Sequence, residues 1–276
     1  MLDTTQTHMQ MQRTRGRAVV ELLAAAQGAR LGRLHQSGSA KAMLPRTHGP
    51  VPEVVFLNTA GGLTGGDHLT YELRLADGAR AVAATQTAER AYASCGGVAR
   101  LDVDIDLGAG AALDWLPQET ILFQHSALSR RSRVRMAGDA RFLMCETLVL
   151  GRAAMGEVLA DISLSDRREI LRDGRPILVE PLALDAASLA RRDSGAGLSG
   201  ARAFATVALI ARGAEDAVAP LRRVLAGCTG ISAGVSGWDG KCVARLMAAD
   251  GLPLRRALAA ALTTLRGAPL PRVWQI

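Results

Sequence analysis

The residues best placed to bind a ligand through their backbone lie in the stretch Asn58–Asp67, which holds two Gly-Gly pairs and ends in a carboxylate. Paired glycines suit backbone that enters positive φ or passes close to a ligand or partner. A phosphate-binding loop needs Gly-Lys followed by Ser or Thr, whereas here an aspartate follows the last glycine and would repel phosphate. The dinucleotide pattern fails as well, because the chain after Asp67 reads as a strand. The sequence therefore disfavours a nucleotide-binding enzyme.

The histidines and cysteines show no spacing typical of a metal site or a catalytic nucleophile. The chain has five histidines and four cysteines, but no Cys-x-x-Cys pair, no His-Glu-x-x-His motif and no Gly-x-Ser-x-Gly elbow. His68 and His125 have polar or acidic neighbours, and we interpret both as surface or hydrogen-bonded histidines. Catalysis and a tightly bound cofactor are both disfavoured.

A row of carboxylates alternates with apolar residues over the strand predicted at 101–107. It could bind a cation, but a flat row lacks the convergence that a coordination sphere requires. Three alternating arginines on a second strand could pair with these carboxylates, and each pair would stabilise the sheet by about 0.2 to 1 kcal/mol. We therefore favour ion pairing. The aspartates are Asp102, Asp104 and Asp106, and the arginines are Arg131, Arg133 and Arg135.

The charge balance raises a nucleic-acid-binding β protein as the alternative function. The chain has 276 residues, a net charge of +7 and 49% hydrophobic residues, so it can bury a large core. All but two of its 33 basic residues are arginine, and they are scattered except in the cluster Arg130–Arg135. Scattered arginines favour a compositional bias over a nucleic-acid surface.

No stretch approaches the roughly 20 apolar residues that a membrane span needs, and the dispersed cysteines fit a reducing compartment. We expect a cytoplasmic protein without a membrane segment. Residues 1–16 are polar and predict a disordered tail, and residues 17–276 show no linker that would divide them, so we expect one domain.

Alternating patterns predict a mainly β fold. Asp77-Gly78 predicts a hairpin between residues 68–75 and 80–87, and Asp173-Gly174 a second hairpin. The strand at 101–107 is expected to pair with 112–116. Helical spacing of apolar residues is clear only over 214–226 and 253–266.

Several motifs in a fixed order resemble the urease accessory protein family UreD, also called UreH. They are residues 58–67, 85–92, 113–121, 151–157, 237–241 and 270–274. The resemblance implies a fold of stacked, β-helix-like sheets with two α-helices in the C-terminal quarter. It also implies a non-enzymatic chaperone that binds apo-urease with UreF and UreG and lets nickel(II) pass through a tunnel to the urease active site. Weak, replaceable oxygen ligands suit such transit better than a tight His/Cys cage.

The resemblance also assigns candidate site residues. It implies that the glycine stretch forms a partner or tunnel surface, through Asn58, Gly61, Gly62, Gly65, Gly66 and Asp67. The candidate carboxylates for transient contact with nickel are Asp67, Asp114, Glu119, Glu146 and Glu157. Glu119 is favoured among them, because a charge in apolar surroundings is retained for pairing or function. The alternatives are that Asp67 caps its turn and that Asp114 faces solvent.

Overall fold

The computed structural model describes residues 13–26, 28–47 and 51–275. It is mainly β, with 51% of the residues in strands and 15% in helices. Most of the predicted tail, residues 1–12, lies outside the described residues. The first strand already begins at Arg15, so the tail predicted through residue 16 overlaps it by two residues.

The elements follow one another closely along the chain. The strands are β1 (Arg15–Ala25), β2 (Gly28–Gly38), β3 (Ala40–Met43), β4 (Glu53–Asn58), β5 (His68–Leu75), β6 (Arg80–Thr85), β7 (Glu89–Ala91), β8 (Ala99–Leu107), β9 (Ala112–Trp115), β10 (Thr120–Leu122), β11 (Ala127–Met136), β12 (Arg141–Leu150), β13 (Ser163–Arg172), β14 (Arg175–Leu184), β15 (Ala203–Ile210), β16 (Ile231–Trp238) and β17 (Lys241–Ala248). The α-helices are α1 (Ala186–Ala190), α2 (Val218–Ala226) and α3 (Gly251–Arg266).

The strands form two stacked sheets. Sheet A has the order β14-β13-β11-β8-β5-β1-β2, and sheet B the order β16-β17-β15-β12-β9-β6-β4-β3, with β7 and β10 attached beside β12. One apolar core, including Phe56 and Phe142, lies between the sheets. A second core lies between sheet B and the helices and includes Leu221 and Leu258. The expected stacked, β-solenoid-like arrangement is confirmed, with three layers: sheet A, sheet B and helices.

Two predicted strand pairings are wrong, because the chain changes sheet at these turns. β5 pairs in parallel with β1 and β8, whereas β6 belongs to sheet B and pairs with β4 and β9. In the same way β8 and β9 lie in different sheets. A turn signal ends a strand but does not fix where the next strand pairs, since both outcomes keep the alternation of buried and exposed residues. The hairpin at Asp173-Gly174 is confirmed, as the antiparallel pair β13–β14.

The charged ladder on the outer face of sheet A is confirmed. β8 and β11 run in parallel with Asp102 opposite Arg131, and the next two aspartate–arginine pairs follow in the same register. Arg131 Nε lies 3.4 Å from the Asp102 carboxylate, and Arg133 lies 3.5 Å from Glu169. The cluster Arg130–Arg135 motivated the nucleic-acid alternative. Since its outward-facing arginines lie beside carboxylates, it does not form an uncompensated basic patch.

The two C-terminal helices are confirmed with shifted starts. Residues 214–217 form a 3₁₀ turn before α2, and α3 begins at Gly251, whose N–H is accepted by the Asp250 side chain. The short helix α1 and several strands, β2 and β16 among them, are elements that the sequence analysis did not predict. Within the described ranges, no helix combines the length and apolar character of a membrane span.

Candidate functional site

The glycine stretch packs tightly against the chain segment that follows β7. The N–H of Leu63 donates to the Arg90 carbonyl (2.7 Å), and the N–H of Tyr92 donates to the Leu63 carbonyl (2.8 Å). A Cβ at Gly65 would lie 2.4 Å from the Gly96 carbonyl oxygen. Glycine is thus required here because two backbone segments of the same chain are in contact.

Asp67 holds the end of this stretch in place. Its carboxylate is buried and accepts the backbone N–H of Thr14 (2.7 Å) and of Thr64 (2.8 Å). These bonds join the stretch to the start of β1. Asp67 therefore caps its turn, which is the alternative role that the sequence analysis gave it.

Glu89 lies beside the glycine stretch, and within the described part of the chain no arginine side chain donates a hydrogen bond to its carboxylate. The backbone N–H of Arg90 does donate to it, at 3.2 Å. Asn58 Nδ2 lies 3.3 Å and 3.4 Å from the two Glu89 carboxylate oxygens and donates to the Gly62 carbonyl at 3.1 Å. Burial raises the pKa of Glu89 to about 7, against the opposing effect of the Asn58 hydrogen bond. Glu89 is therefore a carboxyl group that titrates near neutral pH.

The raised pKa of Glu89 predicts a loss of stability between pH 5 and pH 8. In this range the native protein binds the proton more tightly than the unfolded chain, so the free energy of unfolding falls as pH rises. We expect a contribution of about 1 to 3 kcal/mol. Urea denaturation at pH 5 and pH 8 measures the effect. Glu89→Gln should be more stable than the unsubstituted protein at pH 8, and its free energy of unfolding should depend less on pH. The control Glu169→Gln should keep the original dependence, and an unchanged dependence in Glu89→Gln would contradict the assignment.

A row of buried charges crosses the space between the two sheets. The Arg130 guanidinium donates to both oxygens of Asp166 (3.0 and 2.6 Å) and to the hydroxyl of Thr120 (3.1 Å). It also lies 2.8 Å from a Glu146 oxygen, and the other oxygen of Glu146 accepts the Trp115 indole N–H (2.9 Å). We call Arg130, Glu146, Asp166 and Arg168 the buried row.

Strand alternation places the buried row inside. Arg130 on β11 and Asp166 on β13 occupy the inward positions of their strands, where the neighbouring inward residues are mostly apolar. Burial by itself raises the pKa of Asp166, but the Arg130 guanidinium outweighs it and keeps the pKa below its usual value. The aspartate therefore stays ionised in the interior. The sequence analysis selected Glu146 alone from this row.

The remaining three candidate carboxylates each pair with arginine at different places. Asp114 faces the helices and joins Arg141 (2.6 Å) to Arg266 of α3 (2.7 Å), so it does not face solvent. Glu119 lies 3.4 Å from Arg255. The third, Glu157, accepts hydrogen bonds from the backbone and side chain of Arg152, and the side-chain bond chiefly lowers its pKa to about 2.

The five carboxylates do not meet in one site. Across residues 13–26, 28–47 and 51–275, no three His, Cys, Asp or Glu side chains are grouped to hold a metal ion. His68 pairs with Asp102 (2.8 Å) and His125 with Asp161 (3.2 Å). The candidate carboxylates therefore lie apart from one another as single oxygen donors.

An exposed apolar surface lies next to the glycine stretch. Tyr92 packs edge-on against Phe123 (5.0 Å between ring centres), and the Arg152 guanidinium lies 4.4 Å from the centre of the Phe123 ring. Met155 and Val158 nearby are 74% and 68% exposed. A cleft of about 550 Å³ adjoins them and is lined by Glu119, Arg152, Arg255 and Trp274 among others. Exposed apolar residues with charged residues around them are typical of a protein–protein contact surface.

Comparison with known proteins gives one consistent result. The profile of the family described as "UreD urease accessory protein" matches residues 14–275. The chain is 56% identical over 265 residues to "Urease accessory protein UreD" of Cereibacter sphaeroides, with 96% of each chain covered. It is 52% identical over 277 residues to the protein of that name from Jannaschia sp., with 100% of each covered, and 44% identical to that from Rhizobium leguminosarum bv. viciae, with 90% of each covered. The likeness extends through both sheets and the helical layer.

Proposed function

Because the chain belongs to the UreD family of urease accessory proteins, we propose that it is a maturation chaperone that binds apo-urease together with UreF and UreG. In this proposal it allows nickel(II) to enter the urease active site and catalyses no reaction. It holds no cofactor tightly, acts in the cytoplasm, and needs neither nucleic acid nor a membrane.

The observation that carries a nickel-transfer role is the buried row between the sheets. Apolar cores rarely hold charges, because each buried ion loses several kcal/mol of hydration. The row provides carboxylate oxygens in the interior. It begins at Arg130, which donates to Thr120, and Thr120 lies opposite Glu89 in the β10–β7 pair. It ends at Arg168, which contacts Asp166 (3.6 Å) and Glu180 (3.5 Å).

Pairing with arginine suits transit of a cation. A carboxylate whose charge is already compensated attracts nickel less strongly than a free one, so an ion bound there is released again. We propose Glu146 as an oxygen ligand along this route and Glu119 as one at its surface. Asp67 and Asp114 act through the backbone and helix contacts described above, and Glu157 keeps the loop after Arg152 in place.

Glu119→Ala is predicted to lower nickel incorporation while leaving the fold intact. Its pair with Arg255 is partly exposed and contributes at most about 1 kcal/mol of stability. Loss of one group beside a metal path is expected to slow loading roughly tenfold. Nickel content of co-expressed urease measures the effect, with Glu169→Ala on the outer face of sheet A as control. Normal nickel content in Glu119→Ala would remove Glu119 from the route.

Co-purification tests the partners. A tagged copy of the chain should retain UreF, UreG and apo-urease together. We expect a charged substitution in the apolar surface, Val158→Asp, to weaken this retention, because it places a carboxylate in a desolvated contact. Retention equal to that of the unsubstituted chain would place the contact elsewhere, and no retention of any partner by the unsubstituted chain would contradict the proposed assembly.

A further inference from the structure

A cleft of about 680 Å³ lies at the end of the sandwich where β14 is the end strand of sheet A. One wall is β14, over residues 179–182, and the other is the face of β15, β17 and β16. Most of the lining is apolar and includes Leu182, Phe204 and Met247. Along the path of the described strands, β16 is the end strand of sheet B, just as β14 is the end strand of sheet A.

Two polar side chains line this cleft, and each also has buried atoms without a hydrogen-bond partner among the described residues. They are Arg168, through Nε and Nη1, and Glu180, through Oε2. Arg168 is only 6% exposed. Its Nη1 lies 3.5 Å from Glu180 Oε2, within ion-pair distance but without hydrogen-bond geometry. Buried polar atoms without partners are costly, and each one requires an explanation.

The charges around these atoms cancel. Arg168 and Arg245 bring two positive charges, and Asp166 and Glu180 bring two negative ones, with ion pairs linking them. A charged ligand would therefore gain little from the cleft. A neutral group that both accepts from Arg168 and donates to Glu180 would satisfy the two unpartnered side chains together, and an amide is such a group.

The strands at the cleft favour an extended chain as the carrier of that amide. β14 and β16 each have one pairing neighbour in the described sheets. Residues Ser232, Ala233 and Gly234 of β16 are exposed and small, which leaves room for added backbone. Addition of a strand to a sheet edge provides backbone hydrogen bonds, while a pocket selects the side chains.

We propose that this cleft binds an extended peptide segment of a partner protein, placed between β14 and β16, whose peptide or carboxamide group meets Arg168 and Glu180. Such a segment would cover the residues of β15, β16 and β17 that line the cleft. This role goes beyond nickel transfer and does not depend on it.

Peptide selection on the purified full-length chain tests the proposal. A random 12-residue display library is selected on the protein, and the enriched peptides are synthesised and titrated by fluorescence polarisation. Ser232→Trp fills the cleft from an exposed strand position, and we expect it to weaken binding by about tenfold or more, a loss of about 1.4 kcal/mol. Arg168→Met should weaken binding similarly if it folds. Ser37→Trp, on edge strand β2 at the other end of sheet A, should bind as the unsubstituted protein does.

Hydrogen exchange locates the bound peptide. We expect slower exchange of backbone amides in residues 176–184 and 231–236. The proposal is overturned if no enriched peptide binds more tightly than about 100 µM, or if Ser232→Trp binds with unchanged affinity. It is also overturned if acetamide competes as well as the peptide per molecule, which would identify a small-molecule site.

Discussion

Arg130→Met is expected to lower the free energy of unfolding by about 3 to 5 kcal/mol, since it leaves two buried carboxylates without their shared cation. The Asp166 side chain is completely buried and that of Glu146 is 4% exposed, so water cannot replace the guanidinium. Glu146 retains the indole N–H of Trp115, whereas among the described residues Asp166 retains only the more distant Arg168. The free energy of unfolding, from urea titration, measures the loss.

The pH dependence of the same variant separates this cause from poorer packing. Without Arg130, burial raises the pKa of Asp166, so the carboxyl group takes up a proton as pH falls and the destabilisation becomes smaller at pH 5 than at pH 8. Arg131→Met, on the outer face of the same strand, should cost less than about 1 kcal/mol. Equal losses in the two variants, or an Arg130 loss below about 1 kcal/mol, would contradict the importance of the buried row.

Gly65→Ala is expected to destabilise the protein by about 2 to 3 kcal/mol through overpacking. The added methyl group would lie 2.0 Å from Ser94 Oγ, 2.4 Å from the Gly96 carbonyl oxygen and 2.7 Å from that of Gly97. The serine can rotate away, but the two carbonyl groups belong to the backbone and must move with it. Thermal and urea unfolding measure the cost.

The neighbouring Gly61 supplies the control. It has a φ of 77°, and a Cβ there would have no atom within 4 Å. Gly61→Ala therefore adds only the strain of a left-handed residue, about 1 kcal/mol. If Gly61→Ala were as damaging as Gly65→Ala, backbone conformation rather than close contact would explain the glycine stretch.

Local patterns predicted the outer surface of the fold well. The alternation in β8 and β11 predicted both strands and the pairing of their aspartates with arginines, because on a solvent-facing ladder opposite charges at matching positions stabilise one register. The same alternation does not tell which sheet the next strand joins. For this reason the turn at Asp77-Gly78 was misassigned as a hairpin, although both of its flanking strands were correctly predicted.

The buried row was mostly beyond sequence reasoning. Arg130 is one of four arginines within residues 130–135, and only its inward position on β11 distinguishes it from Arg131, Arg133 and Arg135. One signal in the sequence could have identified it. Leu128, Val134 and Met136 are separated from Arg130 by even numbers of positions, so they lie on the same face of the strand and indicate that this face is apolar. Asp114 and Glu119 each have a partner on α3, more than 100 residues away, and no local pattern predicts such contacts.

The nickel content of urease tests most directly the proposed role of this chain in letting nickel enter urease. Urease is co-expressed with UreF and UreG in cells that have or lack this chain, purified, and its nickel per active site is determined by metal analysis. We predict nickel-loaded, active urease when the chain is present and nearly nickel-free, inactive urease when it is absent. Equal nickel content with and without the chain would contradict the account.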